Sequence, residues 1–349
     1  MPLLLDAARS GSSVELRGAN CVNIGLVNNM PDAALEGTER QFIELLRAAT
    51  TDAVVCLKLF SIPEIPRAEY SRRELAGRYR DISELWDAHL DGLIVTGAEP
   101  LAKNLKDEPY WGTLARIVDW ACENTASTVW SCLAAHAAVL HADGIERRRL
   151  KEKTFGVFDC EPAADHPMTR DAARGLRVPH SRHNDLPENA LASSGYRILT
   201  RSAAAGVDMF AKQDKSFHLY FQGHPEYETT TLLREYRRDV GRFLRRERED
   251  YPALPQGYFG AEAAAIAAGF RKRAVADRRE HLIASFPMRS LEAGLDCPWR
   301  PCALGIYEKW IGYLRGRRAE QRPFTAPLRR AWRDWPGGTA RPSVDGSMR

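Results

Sequence analysis

The chain has 349 residues, 44% of them hydrophobic and 28% charged, and its 50 basic side chains against 46 acidic ones leave a net charge of +4. That length can bury a substantial core as one large domain or two ordinary ones, and the near balance of charge excludes a bulk polyanion as the expected partner. Seven scattered cysteines without a CxxC pair argue for reduced thiols over a disulfide framework and against a zinc site.

At the N-terminus, MPLLLDAARSG reaches Asp6 after a short leucine run and lacks the basic start and long apolar stretch of a secretory signal, so a cytoplasmic location is expected. CVNIGLVN (21–28) reads as a strand. GTERQFIELLRAA (37–49) follows as an amphipathic helix with Phe42, Leu45 and Leu46 on one face. AVVCLKLF (53–60) and DGLIVTG (91–97) are further strands, the last apolar enough for burial on both faces of a sheet. A helix from Tyr110 to Glu123 leads to STVWS (127–131), a fourth strand running into Cys132. The uncharged run from Asn124 to Ala142 contains Ser127, Thr128, Ser131, His136 and His141, which suits strand, turn and helix rather than a membrane span. Repeated strand and helix predict an α/β fold, a doubly wound, mostly parallel sheet with ligands at the carboxyl ends of its strands.

The second half predicts consecutive strands at YRILTRS (196–202), DMFAKQ (208–213) and SFHLYFQG (216–223), then a long helix over 228–248. The expected organisation is a main domain over 1–257, a helical segment over 258–322 packed on it, with helices at 260–284 and 302–318, and a loose tail over 323–349 rich in proline and glycine.

Two stretches bear chemistry. In VWSCLAAHAAVL (129–140), Cys132 stands between a β-branched run and an alanine-rich helix, the pattern of a nucleophile elbow, where a helix N-terminus favours a thiolate and can hold an oxyanion. Taken alone, a buried structural thiol is the competing reading. In HLYFQGHPEYE (218–228), a strand ends at Gly223 before His224 and Glu226, two residues apart and able to share a face. Sulfur, imidazole base and orienting carboxylate at strand ends suit nucleophilic acyl transfer. Alternatively, His224 and Glu226 only cap the following helix. The basic run RRDVGRFLRRER (237–248) is interleaved with acids and lacks stacking aromatics, so it reads as a solvated helix face rather than a nucleic-acid site.

With these pieces, NNMPD near residue 30, ERQFIELL, DGLIVTGA, YWGTLARIVDWACENTASTVWSCLAAHAAV, GVFDCE, VPHSRHND, FQGHPEYETTTLLREYRRDV and PWRPCALGIYEKWIGYL run in one order over residues 20–315. The chain resembles the homoserine O-acyltransferases (homoserine O-succinyltransferase, MetA type) of the class I glutamine amidotransferase-like, flavodoxin-like fold. The resemblance implies that Cys132 is acylated, His224 is the base and Glu226 its partner, with Arg182, Glu235 and Arg238 around the amino-acid substrate. Glu235 and Arg238 lie three apart on one helix face, where carboxylate and guanidinium could meet an ammonium and a carboxylate. A surface ion pair is the competing reading.

Oxyanion and acyl contacts are expected from Leu133, Gly97, Ala98 and Leu101. No bound cofactor is implied. The implied substrates are an acyl-CoA and homoserine, in a homodimeric enzyme of methionine biosynthesis that engages neither nucleic acid nor membrane. The sequence departs from the family pattern in two loops and carries two stretches without a counterpart. The loop MPDAALEGTE lacks the usual paired lysines. In GAEPLAKN, Leu101 falls where the family distinguishes succinyl from acetyl donors, with Glu99 nearby. The stretches 146–153 and 260–290 have no clear counterpart. Succinyl transfer to homoserine is the expectation, with acetyl transfer to homoserine or serine, a glutamine amidotransferase-like hydrolase, or a non-catalytic relative as alternatives. The elbow WSCLA in place of GxCxG disfavours the amidotransferase.

Overall fold

Short runs of β-branched and leucine side chains in the first half become the parallel part of one ten-stranded sheet. The computed structural model describes residues 3–6, 21–50, 52–170 and 175–320; the predicted tail over 323–349 lies outside them. The strands are β1 (Leu3–Asp6), β2 (Cys21–Val27), β3 (Val54–Phe60), β4 (Gly92–Val95), β5 (Ser127–Ser131), β6 (Arg148–Pro162), β7 (Leu176–Asp185), β8 (Arg197–Ser202), β9 (Gly206–Gln213) and β10 (Phe217–Phe221), in the order β1-β3-β2-β4-β5-β10-β9-β8-β6-β7. Pairing is parallel from β1 through β10 and antiparallel from β10 through β9, β8 and β6 to β7.

Helices cover both faces, as a sheet buried on both sides requires. On one face α1 (Asp32–Ala49) and α9 (Arg300–Glu320) bury Phe42, Leu46, Trp310 and Leu314. On the other, α3 (Trp111–Asn124) and α4 (Leu133–Asp143) bury Ile117, Ala134 and Val139. Five further α-helices lie among the described residues: α2 (Glu69–Arg78), α5 (Glu188–Ser193), α6 (Thr231–Leu244), α7 (Ala261–Ala276) and the short α8 (Met288–Glu292). Among the described residues no helix is long and apolar enough to cross a membrane.

The segment after residue 257 contributes to two cores. Phe270, Phe286, Leu291 and Trp299 pack with Tyr236, Val240 and Phe243 of α6, and the Trp299 indole donates to Tyr227 O at 2.7 Å. By contrast α9 lies on the sheet itself, where Trp310 donates to Ser127 Oγ at 2.9 Å. Gly92 makes this approach possible, because a Cβ there would stand 2.6 Å from Leu314 Cδ1. The junction is tied down too: Val157 N donates to Gln256 O at 2.8 Å and Gln256 N to Phe155 O at 2.9 Å.

Several elements differ from the sequence expectation. The first helix begins at Asp32, one turn and more before Gly37, and α6 ends at Leu244 rather than 248, with Arg246 at φ 65°. The charged stretch 146–153 is not a separate insert in space. It opens β6, which pairs with β7 and shifts register between Arg149 and Thr154.

Burial has a consequence for acid stability. Desolvation pushes His136 and His166 down to about 3, His218 down to about 4 and His180 well below the usual histidine range. A depressed histidine contributes stability above its unfolded value of 6.5, and that contribution is lost as pH falls toward the folded value. Asp208, raised by burial to about 6, opposes this with one proton. His224, shifted upward, is protonated in both states at low pH and adds no slope there. Unfolding free energy measured by urea titration is therefore expected to fall by about 4 kcal/mol per pH unit between pH 6 and 5, a net of roughly three protons at about 1.4 kcal/mol each. A flat profile across that interval would contradict neutral buried imidazoles.

Candidate active site

The site begins with a strained residue. Cys132 follows β5 directly and caps α4 with φ 50° and ψ −108°, a left-handed φ that side-chain-bearing residues rarely adopt. Its amide donates to Phe221 O at 2.7 Å, continuing the parallel pairing of Ser131 with Phe221. The chain therefore cannot flatten at the elbow, and the sulfur is thrust out over the strand ends. Leu133 N opens α4, where helix geometry supplies no carbonyl partner, so its N–H is available to an oxyanion.

That same strand pairing brings in the base. Phe221 ends β10 beside Ser131, and three residues later His224 faces Cys132 in hydrogen-bonding contact. His224 Nδ1 lies 2.8 Å from Glu226 Oε1, which also accepts from Ser131 Oγ at 3.3 Å. A proton donated from Nδ1 to the carboxylate leaves Nε2 for the sulfur. Burial would lower the imidazole, but the charges of Cys132 and Glu226 and their hydrogen bonds outweigh it and hold His224 well above the usual histidine range. His224 and Glu226 meet through a tight turn, closed by Tyr227 N to His224 O at 3.1 Å, rather than along an extended segment. Tyr227 then stacks on the imidazole with ring centroids 4.2 Å apart.

The triad opens into a cleft of ≈ 570 Å³. One wall is the loop after β4: Gly97, Ala98, Glu99 and Pro100 line the cleft. A Cβ on Gly97 would lie 2.5 Å from Leu133 Cβ and 3.1 Å from Leu133 N, so only glycine lets the loop reach the elbow. NNMPD anchors this wall, with Asn29 N donating to Thr96 Oγ1 at 2.8 Å and Asn29 Nδ2 to Thr96 O at 3.1 Å. Leu101 is a correction: its side chain is 75% exposed and does not line the cleft. The loop turns outward after Pro100, and Glu99 is the residue that faces in.

The opposite wall carries the expected amino-acid contacts. Glu235 Oε1 accepts from Tyr227 at 2.5 Å, and Oε2 accepts from Ser181 and approaches Lys153 Nζ at 3.5 Å. Arg238 lies 4.0 Å from Glu235 and donates through Nε and Nη2 to Asp239 Oδ1, both at 3.1 Å. Arg182 lines the cleft with a side chain only 2% exposed. Its guanidinium is occupied by Asn184 O at 2.8 Å, Asp185 Oδ1 at 3.1 Å, His180 Nδ1 at 3.4 Å and Ala205 O. This arginine braces the wall.

Sequence reading missed Ser131, Tyr227, Lys153, Asp239 and Arg242. Tyr227 lies inside the HPEYE motif and could have been flagged. Lys153 sits in a charged run with no periodic signal, and only the pairing of β6 with β7 carries it into the cleft.

Behind the site, donor atoms of Cys160, His180 and Asp208 lie within 4.8 Å of one another, all buried. The arrangement suits a cation poorly, because Arg182 already stands against His180 and the Cys160 thiol is turned to Phe158 O. Arg182 Nε–H points at His180 Nδ1, which puts the ring proton on Nε2, toward Asp208 Oδ1 at 3.4 Å. Burial also pushes the Cys160 thiol far up.

A family model described as homoserine O-succinyltransferase matches residues 10–320. A homoserine O-succinyltransferase of Rhodopseudomonas palustris is 49% identical over 293 residues, spanning 84% of this chain and 88% of that relative. One from Bradyrhizobium japonicum is 48% identical over 324 residues, spanning 90% of this chain and 99% of the relative. A third, from Methylorubrum extorquens, is 45% identical over 298 residues, spanning 85% and 88%.

Proposed function

The chain belongs to the homoserine O-succinyltransferase family, and we propose that it passes a succinyl group from succinyl-CoA to the hydroxyl of homoserine through an acyl-cysteine at Cys132. The observation that carries the reading is the elbow sulfur in contact with an imidazole whose other nitrogen is held by Glu226.

In the first half-reaction the Cys132 sulfur attacks the thioester carbonyl. The developing oxyanion is received by Leu133 N–H and the backbone at Gly97 and Ala98. CoA departs as its thiol with the proton that His224 holds, leaving a protein thioester and a neutral imidazole. In the second, His224 takes the proton of the homoserine hydroxyl as that oxygen attacks the acyl carbon, the Cys132–acyl bond breaks, and the O-succinyl ester leaves. Glu235 and Arg238 are assigned to the ammonium and carboxylate of homoserine; Arg182 orients that wall. Tyr227 covers one face of the imidazole and helps exclude the water that would hydrolyse the intermediate. The same reading makes this a cytoplasmic homodimer that contributes to methionine biosynthesis, an inference drawn from the family.

Intact mass measurement after mixing with succinyl-CoA is the test. One succinyl adduct, located on the Cys132 peptide and discharged by homoserine, is expected. Adduct formation from acetyl-CoA alone would reassign the donor, and ammonia release from glutamine without any adduct would defeat the reading.

A further inference from the structure

Succinyl differs from acetyl by a terminal carboxylate, and a carboxylate entering a half-buried cleft needs a cation to replace its water. The cations lining this cleft are Arg149, Lys153, Arg182, Arg238, Arg242 and Arg248. On the NNMPD side the lining is Met30, Pro31, Ala34 and Thr38, all uncharged. The missing lysines of that loop therefore have no substitute on their own element.

The other cations differ in how firmly the protein holds them. Arg182 is enclosed by protein acceptors. Lys153 is set between Glu235 and Asp239 at 3.5 and 3.1 Å. Arg238 is bound through two nitrogens to buried Asp239. Arg149 stands on β6 opposite Asn184 of β7, and Arg248, which follows α6, donates through Nε to Asp250 O at 2.7 Å.

Arg242 is different. It projects from α6 to the loop after β4, where Nη2 alone contacts Glu99 Oε1 at 3.2 Å and Oε2 at 3.5 Å, while Nη1 lies 4.0 Å from Asp239 Oδ1. Both partners are partly exposed, 36% for Arg242 and 50% for Glu99. Glu99 stands two residues after Gly97, which packs on Leu133 beside the nucleophile. An exposed glutamate can turn to solvent at little cost, whereas Asp239 and Glu235 cannot.

We propose that Arg242 is the receptor for the terminal carboxylate of the acyl donor, and that Glu99 occupies its guanidinium until the donor arrives. The proposal rests on the succinyl-transfer reading and names the residue that selects the acyl group. Binding exchanges one carboxylate for another on the same guanidinium, so Glu99 rotates outward as the donor seats. Glu99 thus sets a threshold: acyl groups without a carboxylate leave the Glu99–Arg242 pair closed across the cleft and draw no binding energy from Arg242.

The test compares kcat/KM for succinyl-CoA and acetyl-CoA, each with homoserine, in the full-length wild type and in Arg242→Gln, Arg242→Lys and Glu99→Gln. In Arg242→Gln the succinyl-over-acetyl preference is expected to fall about 10- to 100-fold, the scale on which a charge-assisted hydrogen bond favours its ligand. Arg242→Lys should restore part of it. Glu99→Gln, which frees Arg242, should lower KM for succinyl-CoA several-fold. An unchanged preference in Arg242→Gln overturns the proposal. If that variant does not fold, Glu99→Gln decides, and an unchanged KM for succinyl-CoA overturns it. Wild-type protein that forms an acyl-enzyme from neither donor defeats the functional reading itself, an outcome distinct from failure of the selector alone.

Discussion

Cys132→Ser is expected to lower acyl transfer from succinyl-CoA by at least about 10³-fold while the protein remains folded. A serine hydroxyl fits the elbow but is a far weaker nucleophile near neutral pH, and an acyl-serine ester lacks the thioester energy that drives transfer onward. Structural stability separates this from a packing role. Cys132 is only partly buried and carries a φ of 50°, so Cys132→Gly should remove strain and match or exceed the wild type in unfolding free energy, by about 1 kcal/mol. A core-filling cysteine predicts the reverse: a glycine variant destabilised by a cavity and an enzyme still active. Steady-state rates with urea unfolding of the same preparations distinguish the two, and retained turnover in the serine variant would remove the sulfur from the mechanism.

Glu226→Gln should lower kcat by about 10²- to 10⁴-fold. The carboxylate accepts from His224 Nδ1 at 2.8 Å and from Ser131 Oγ at 3.3 Å. A glutamine can still accept through its oxygen, but the negative charge that stabilises the imidazolium is gone. Its amide can also turn to donate, which would move the ring proton to Nε2 and blunt the base. The effect on titration has a definite sign. Because Glu226 is among the groups that raise His224, its neutralisation should shift the acidic limb of the pH–rate profile to lower pH as the remaining activity falls. A variant with unchanged rate and unchanged limb would leave Glu226 as a helix-capping residue only.

Much of the parallel half was legible because its signals are local. STVWS became β5 with the predicted bounds, and the apolar runs of β2, β3 and β4 came within about two residues of their observed ends. Burial on both faces leaves such strands no polar alternation to confuse. Over Arg148–Pro162 the opposite holds. The first residues of β6 are charged and largely exposed, because they extend from the sheet and pair only with β7, and neither periodicity betrays them. β7 was visible only as a motif, PHSR, and not as a strand.

The residues by themselves determined the elbow: a cysteine between β-branched strand and alanine-rich helix, and a histidine and glutamate held two apart beside proline after an apolar run. Those are near-neighbour relations, set by backbone sterics and strand propensity within a dozen positions. The tertiary structure alone decided which way the loop after Gly97 turns, placing Glu99 inward and Leu101 in solvent, and which of six cleft cations is already committed to a buried acid. Those outcomes depend on side chains from β6, β7, α6 and the β4 loop competing for the same partners. Distant segments meet only through the sheet order, so no pattern along the chain encodes their competition.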